Sequence, residues 1–352
     1  MNRGLGLIMG LTLACSPPGA PGTPVTPAAS PTLLAQQSGT TQRLQAISPV
    51  NDRVAWASGA GGTFAVTTDG GATWRAGVVP GTDSLEFRDV QGVSDQVAYL
   101  MSAGNGAASR IYFTADGGRS WARQFTNTDS LAFYDCFAFW GRDRAIAMSD
   151  GVRGIFPVLR TTDGKTWSNI GQNLPAAGEG EGAFAASGTC VATHGTSLAW
   201  IATGAGPTSR VLATTDGGNT WTAYPTPIIQ GHSSAGAFTI AFRDAQHGFL
   251  GGGSLRPADS LANNVATSND GGQSWTLRTR SPFGGAIYGS SYVPGGGMAV
   301  VITGPAGAAW SADEGTSWTL IEGAKDYWAV AFASPKAGWL VGTGGRILKV
   351  TF

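Results

Sequence analysis

Hydrophobic positions along this chain come in short runs broken by Gly-rich stretches, a pattern that predicts strands and tight turns. One stretch has four such runs in a row, at residues 85–90, 96–101, 110–114 and 121–125. Between the last two lies Thr114-Ala115-Asp116-Gly117-Gly118-Arg119-Ser120-Trp121. The pattern Ser/Thr-x-Asp-x-Gly-x-Ser/Thr-Trp returns around Asp69, Asp216, Asp270 and Asp313, ending in Trp74, Trp221, Trp275 and Trp318. A copy one residue shorter surrounds Asp163 and ends in Trp167. Successive Asp positions lie 47, 47, 53, 54 and 43 residues apart. Four strands repeating about every 40–50 residues predict an all-β chain of β-propeller blades.

The repeated motif has the chemistry of a turn. Its Asp accepts bonds from backbone N–H groups a few residues on, Gly supplies a positive φ, and Trp buries a large ring against a neighbour. These carboxylates are therefore expected to be structural rather than catalytic. The ends of the chain set the number of blades. Runs at 328–332, 338–341 and 347–350 supply three strands after the last motif, and residues 33–37 stand where a fourth strand belongs. The expectation is a seven-bladed propeller of four-stranded antiparallel blades, its last blade closed by an N-terminal strand. Six blades is the alternative, if the C-terminal run is something else.

Composition agrees: 54 Gly and a charged share of 12% suit strands and turns better than helices. Lys+Arg and Asp+Glu balance at 22 each, so bulk charge proposes no nucleic-acid partner. Residues 1–15 read as an export signal, with Arg3 before an apolar stretch too short to span a bilayer. That stretch ends in Leu11-Thr12-Leu13-Ala14-Cys15, which resembles a bacterial lipobox with Thr12 in the place usually held by Leu. Lipid on Cys15 would then be the contact with a membrane. Cleavage near Ala35 without lipid is the other reading. Residues 16–32 are Pro-rich and expected to form a disordered tether, leaving 33–352 as a single propeller domain. Cys136 and Cys190 then remain as an even pair, either one disulfide or two packed thiols.

The six turns match the Asp-box (BNR) repeat shared by sialidases and sortilin-type receptors. The blades resemble most those of the Ycf48/Hcf136-like photosystem II assembly and stability factors, as in Gly338-Trp339-Leu340-Val341-Gly342 and Thr214-Thr215-Asp216-Gly217-Gly218. Exported bacterial homologues of that group share segments like Phe133-Tyr134-Asp135-Cys136-Phe137 and Gly180-Glu181-Gly182-Ala183-Phe184. The resemblance covers residues 33–352 and implies a scaffold at the cell envelope, outer membrane or periplasm, that docks a protein partner. Secretion without an anchor fits the same residues. No cofactor or metal is expected. No Gly-x-Gly-x-x-Gly opens a helix after a strand, and Cys-x-x-Cys is absent, so an oxidoreductase label lacks motif support.

Function is expected on the face opposite the turns, where the longest loops lie, at 168–183, 222–237 and 251–264. They hold Glu179, Glu181, His232, Arg256 and Asp259, and nearby turns add Asp150 and Arg153. Arg110 and Arg210, each six residues before a turn Asp, read as structural or surface residues. The same loops leave a second function open: a sialidase-like glycoside hydrolase acting on extracellular glycans. That chemistry needs an arginine cluster, a Tyr activated by Glu, and an acid. Eighteen of the 22 basic residues are Arg, and Tyr288 or Tyr292 would be the nucleophile, with no motif to choose between them. A monomer is expected.

Overall fold

The computed structural model describes Met1 and residues 30–352, so Cys15 and residues 2–29 lie outside the described residues. Seven four-stranded sheets follow one another along the chain, each antiparallel. Their inner strands are Leu44–Pro49, Glu86–Gly92, Tyr134–Trp140, Val191–His194, Ala235–Phe242, Gly289–Tyr292 and Tyr327–Ser334. The chain is a seven-bladed β-propeller. Three strands of the seventh blade come from the C-terminal end: Tyr327–Ser334, Ala337–Gly342 and Arg346–Thr351. Its fourth is Thr32–Gln37, paired antiparallel from Thr32 opposite Thr351 to Gln37 opposite Arg346. Cleavage at Ala35 would remove most of this closing strand.

The core is a ring of seven clusters, one between each pair of neighbouring blades. Between the seventh and first blades, Val341, Trp339 and Ile347 pack on Leu44, Ala57 and Trp74. Each sheet therefore buries both faces, and its strands read as apolar runs rather than as clean alternation.

The turns make the bonds their chemistry predicts. Asp69 Oδ1 accepts from Thr73 N at 2.9 Å and Oδ2 from the Thr73 hydroxyl at 2.6 Å. Thr67 Oγ1 donates to Asp69 and accepts from Gly71 N, both at 2.8 Å. The short copy shifts this pattern by one residue, with Asp163 Oδ1 accepting from Lys165 and Thr166 N at 2.8 Å. Two of the turn tryptophans reach back to the outer strand of the preceding blade. Trp167 Nε1 donates to Gln124 at 3.1 Å and Trp74 Nε1 to Gln36 of the closing strand at 2.9 Å.

All three of the expected long loops are partly strand. Ser168–Asn169 and Thr222–Pro225 are the outer strands of the third and fourth blades, and Gly248–Ser254 is the second strand of the fifth. The run Gly251-Gly252-Gly253 looks like a loop in sequence but is buried. A Cβ on Gly253 would meet Ala286 Cα at 2.7 Å, so close backbone approach, not flexibility, is the reason for glycine there.

Candidate functional site

In a four-stranded blade the Asp turns and the first-to-second-strand turns share one face, so every inner strand begins at the opposite mouth. Five inner strands carry a bulge near that beginning. The residues left unpaired are Gln45, Arg88, Asp135, Phe238 and Trp328. Tyr288 stands in the matching place, just before the sixth inner strand. In those five blades the bulge frees one residue from the strand pairing at the mouth end.

Four of these side chains, Arg88, Phe238, Tyr288 and Trp328, join Phe184, Arg43 and Glu86 in a closed circuit. Phe184 stacks on Phe238 with centroids 3.8 Å apart, Phe238 lies 5.8 Å from Tyr288, and Tyr288 meets Trp328 edge-on at 5.1 Å. The Arg43 guanidinium covers the Trp328 ring at 4.6 Å and bonds Glu86 at 3.0 Å. Arg88 holds the other Glu86 oxygen at 2.6 and 2.9 Å and donates to the Ala185 carbonyl, next to Phe184. Phe184, Tyr288, Trp328, Arg43 and Arg88 are all half-buried. Leu131, Ile155, Leu255 and Leu261 stand exposed around them on mouth-side connections.

Residues 183–189 cross the propeller axis inside this circuit. Ser187 Oγ donates to the Tyr288 carbonyl at 2.6 Å, and Thr189 Oγ1 pairs with Thr239 Oγ1 at 2.7 Å. Gly188, at φ +75°, passes so close to Asp89 that a Cβ would collide with its carboxylate. Asp89 accepts from Val90 N and Phe137 N, both at 2.7 Å, and burial raises its pKa well above the carboxylate range. A Cys136–Cys190 disulfide, with Cα atoms 5.9 Å apart, ties the end of the crossing segment to the third blade. Below the segment, all seven inner strands line a cavity of about 800 Å³ toward the turn face.

The expected site residues fall into three groups. Asp150 and Glu181 share one cavity of about 450 Å³ at the mouth, together with Asp135, Arg88 and Ser233. Glu181 is not a solvated loop acid; it is 1% exposed. Arg210 clamps both its oxygens at 2.9 and 2.5 Å, with Thr203 Oγ1 and Gly178 N donating as well. His232 is not alone either: its Nε2 lies 3.1 Å from Asp259, which also accepts from Ser254 at 2.9 Å. Arg256 and Glu179 are exposed, and Arg153 pairs with Asp129 on the rim at 2.8 Å. Arg110 donates to the Ala107 carbonyl at 2.6 Å.

Asp135 is the important residue that sequence reasoning passed over. Burial raises its pKa well above the usual carboxylate range, Asp150 raises it further, and Arg88 opposes them. Burial likewise lifts Asp150 to about 6, against the bond from Ala183 N and the neighbouring Asp135. Two carboxyls on one cavity, one raising the other's pKa, favour a shared proton. Aligning the inner strands by repeat phase would have flagged Asp135 beside Arg88, Phe238 and Trp328, all at the bulge.

At the turn face, Tyr292 donates to Glu314 at 3.0 Å and Arg243 Nε bonds the same oxygen at 2.6 Å. This trio has the residue types of a sialidase nucleophile. Burial, then the neighbouring Glu314, pushes the Tyr292 pKa well up, which disfavours the phenolate. Arg243 is the one arginine lining the axial cavity among the described residues, whereas Arg43 and Arg88 stand at the other mouth.

No family model and no curated protein matches the chain. Solved structures do match. The structure described as YCF48 bound to D1 peptide is 17% identical with a TM-score of 0.65, covering 95% of this chain and 99% of that one. YCF48 from Cyanidioschyzon merolae is 16% identical at TM-score 0.66, covering 92% and 99%. The GH74 xyloglucanase from Xanthomonas campestris is 14% identical at TM-score 0.59, and this chain spans 53% of it. At these identities the likeness is one of fold: the chain has the seven-bladed architecture of YCF48.

Proposed function

We propose that this chain is a non-enzymatic binding propeller that docks a segment of a protein partner across the mouth opposite its repeat turns. The observation that carries the reading is the circuit of half-buried Phe184, Tyr288, Trp328, Arg43 and Arg88, rimmed by exposed leucines. Aromatic and arginine side chains at the centre of a surface, held rigid by one another, are what a protein-binding hot spot requires. The YCF48 structure that carries a D1 peptide supports a peptide as the occupant class. In this reading Asp150, Glu181, Arg153, His232, Asp259, Arg256 and Glu179 shape the mouth and its rim, and lipid on Cys15 holds the propeller at the envelope.

Selection of a displayed random-peptide library on the full chain tests it. Enriched peptides are expected to lose about tenfold or more in affinity with Trp328→Ala and nothing with Lys165→Ala on the turn face. Absence of enrichment, or equal loss from both variants, would remove the reading. Glycan hydrolysis is the second reading, carried only by the residue types of the Tyr292–Glu314–Arg243 trio. Turnover of a fluorogenic sialoside that disappears in Glu314→Gln would establish it.

A further inference from the structure

The mouth cavity holds a carboxyl pair to which no charged side chain donates a hydrogen bond among the described residues, Arg88 acting on Asp135 only through its charge. Asp135 is 1% exposed, lines the cavity, and its Oδ2 meets no donor. Asp150 accepts from Ala183 N at 3.0 Å and faces Asp135 with its remaining capacity. Two carboxyls on one cavity, neither with a charged donor, can be satisfied together by a proton or a cation. The charged groups packed around them are already committed. Arg88 bonds Glu86 and the Ala185 carbonyl, Glu181 is closed by Arg210, and neither arginine donates to Asp135 or Asp150. The remaining wall is mixed, with Leu131, Phe133 and Phe184 on the same cavity.

An aliphatic stem against that apolar wall, ending in a compact positive charge, satisfies both halves of the cavity. We propose that it takes a lysine side chain of the docked protein segment, the ammonium bridging Asp135 and Asp150. The inference rests on the docking reading and deepens it by naming the residue type that the partner presents. An ammonium entering the site replaces the shared proton, which leaves to solvent, so the charge held between the carboxyls is conserved. Burial holds both carboxyls protonated into the mildly acidic range, and a cation competes better as pH rises.

Calorimetry of the full chain with N-acetyl-lysine methylamide tests the site, with the norleucine analogue as uncharged control. Saturable binding at pH 8 is expected, at least fivefold weaker at pH 5, with proton release visible as a dependence of the heat on buffer ionisation (roughly the cost of competing with one proton). Asp135→Asn and Asp150→Asn should each weaken it about tenfold, as loss of one charge partner does. In the unmodified protein, the infrared band of the shared carboxylic acid should bleach on saturation, a readout that needs no variant to fold. Equal binding of the norleucine analogue, a persistent acid band, or affinity unchanged in Asp150→Asn would overturn the assignment. Competition by sodium but not by choline at equal ionic strength would move the site to inorganic cations and overturn it too. The two readings fail separately. Selected peptides that bind Asp150→Asn unchanged sink the lysine pocket alone, whereas a lysine analogue that binds while no peptide does sinks the docking reading.

Discussion

Asp69 and Asp116 are held at about 2, first by the hydroxyls of Thr73 and Ser120 and then by the same residues' backbone N–H groups. Their folded values lie below the ordinary 3.8, so their contribution to stability is present above pH 4 and drains away as pH falls toward 2. Asp69→Asn should melt earlier than the parent at pH 7 and at the same temperature near pH 2, as thermal scans across that range would read. Asp150 runs the other way. Its folded value of about 6 exceeds 3.8, so its stabilisation is complete below pH 4 and is lost as pH rises through 6. Asp150→Asn should therefore gain on the parent by on the order of 3 kcal/mol at pH 8 relative to pH 4 in urea titrations. A gap that is the same at both pH values would contradict the shared proton.

Strands and turns act as latches between blades. Gln36 on the closing strand accepts from Trp74 of the first blade at 2.9 Å and from Trp339 of the seventh at 3.0 Å. Gln36→Ala leaves two indole donors without that partner, and a loss of about 1–3 kcal/mol in unfolding free energy is expected. The crossing segment has a comparable weak point. Gly188→Ala adds a Cβ at φ +75° against the Asp89 carboxylate, for an expected cost of roughly 1–3 kcal/mol by denaturant midpoint. A repeat turn is legible because all its bonds are local. The crossing segment is not, because its partners Tyr288 and Thr239 lie on other blades.

Taken whole, the ring is closed by the strand Thr32–Gln37, and the bond between Cys136 and Cys190, 54 residues apart, pins the crossing segment to the third blade. A cross-link over a loop of that length removes about 4 kcal/mol of unfolded-chain entropy. Reduction, or the double change Cys136→Ala and Cys190→Ala, should lower the melting temperature by a corresponding amount, measured by scanning with and without reductant. The closing strand and the disulfide both join parts of the chain far apart in sequence, as does the mouth, to which six blades and the crossing segment each contribute.

The amino-acid sequence alone determined the blade, its turn, and the need for an N-terminal strand to complete the ring. Those features repeat, and each rests on hydrogen bonds between residues a few places apart. Tertiary structure decided the rest. It turned Glu181 from a loop acid into the buried partner of Arg210, put Asp135 beside Asp150, and gathered Arg43, Phe184, Tyr288 and Trp328 into one surface. Each of these depends on which blade stands next to which, and for Asp135 and Trp328 also on a bulge in the inner strand. A repeat specifies its own hydrogen bonds; a site assembled from several repeats exists only once the ring has closed.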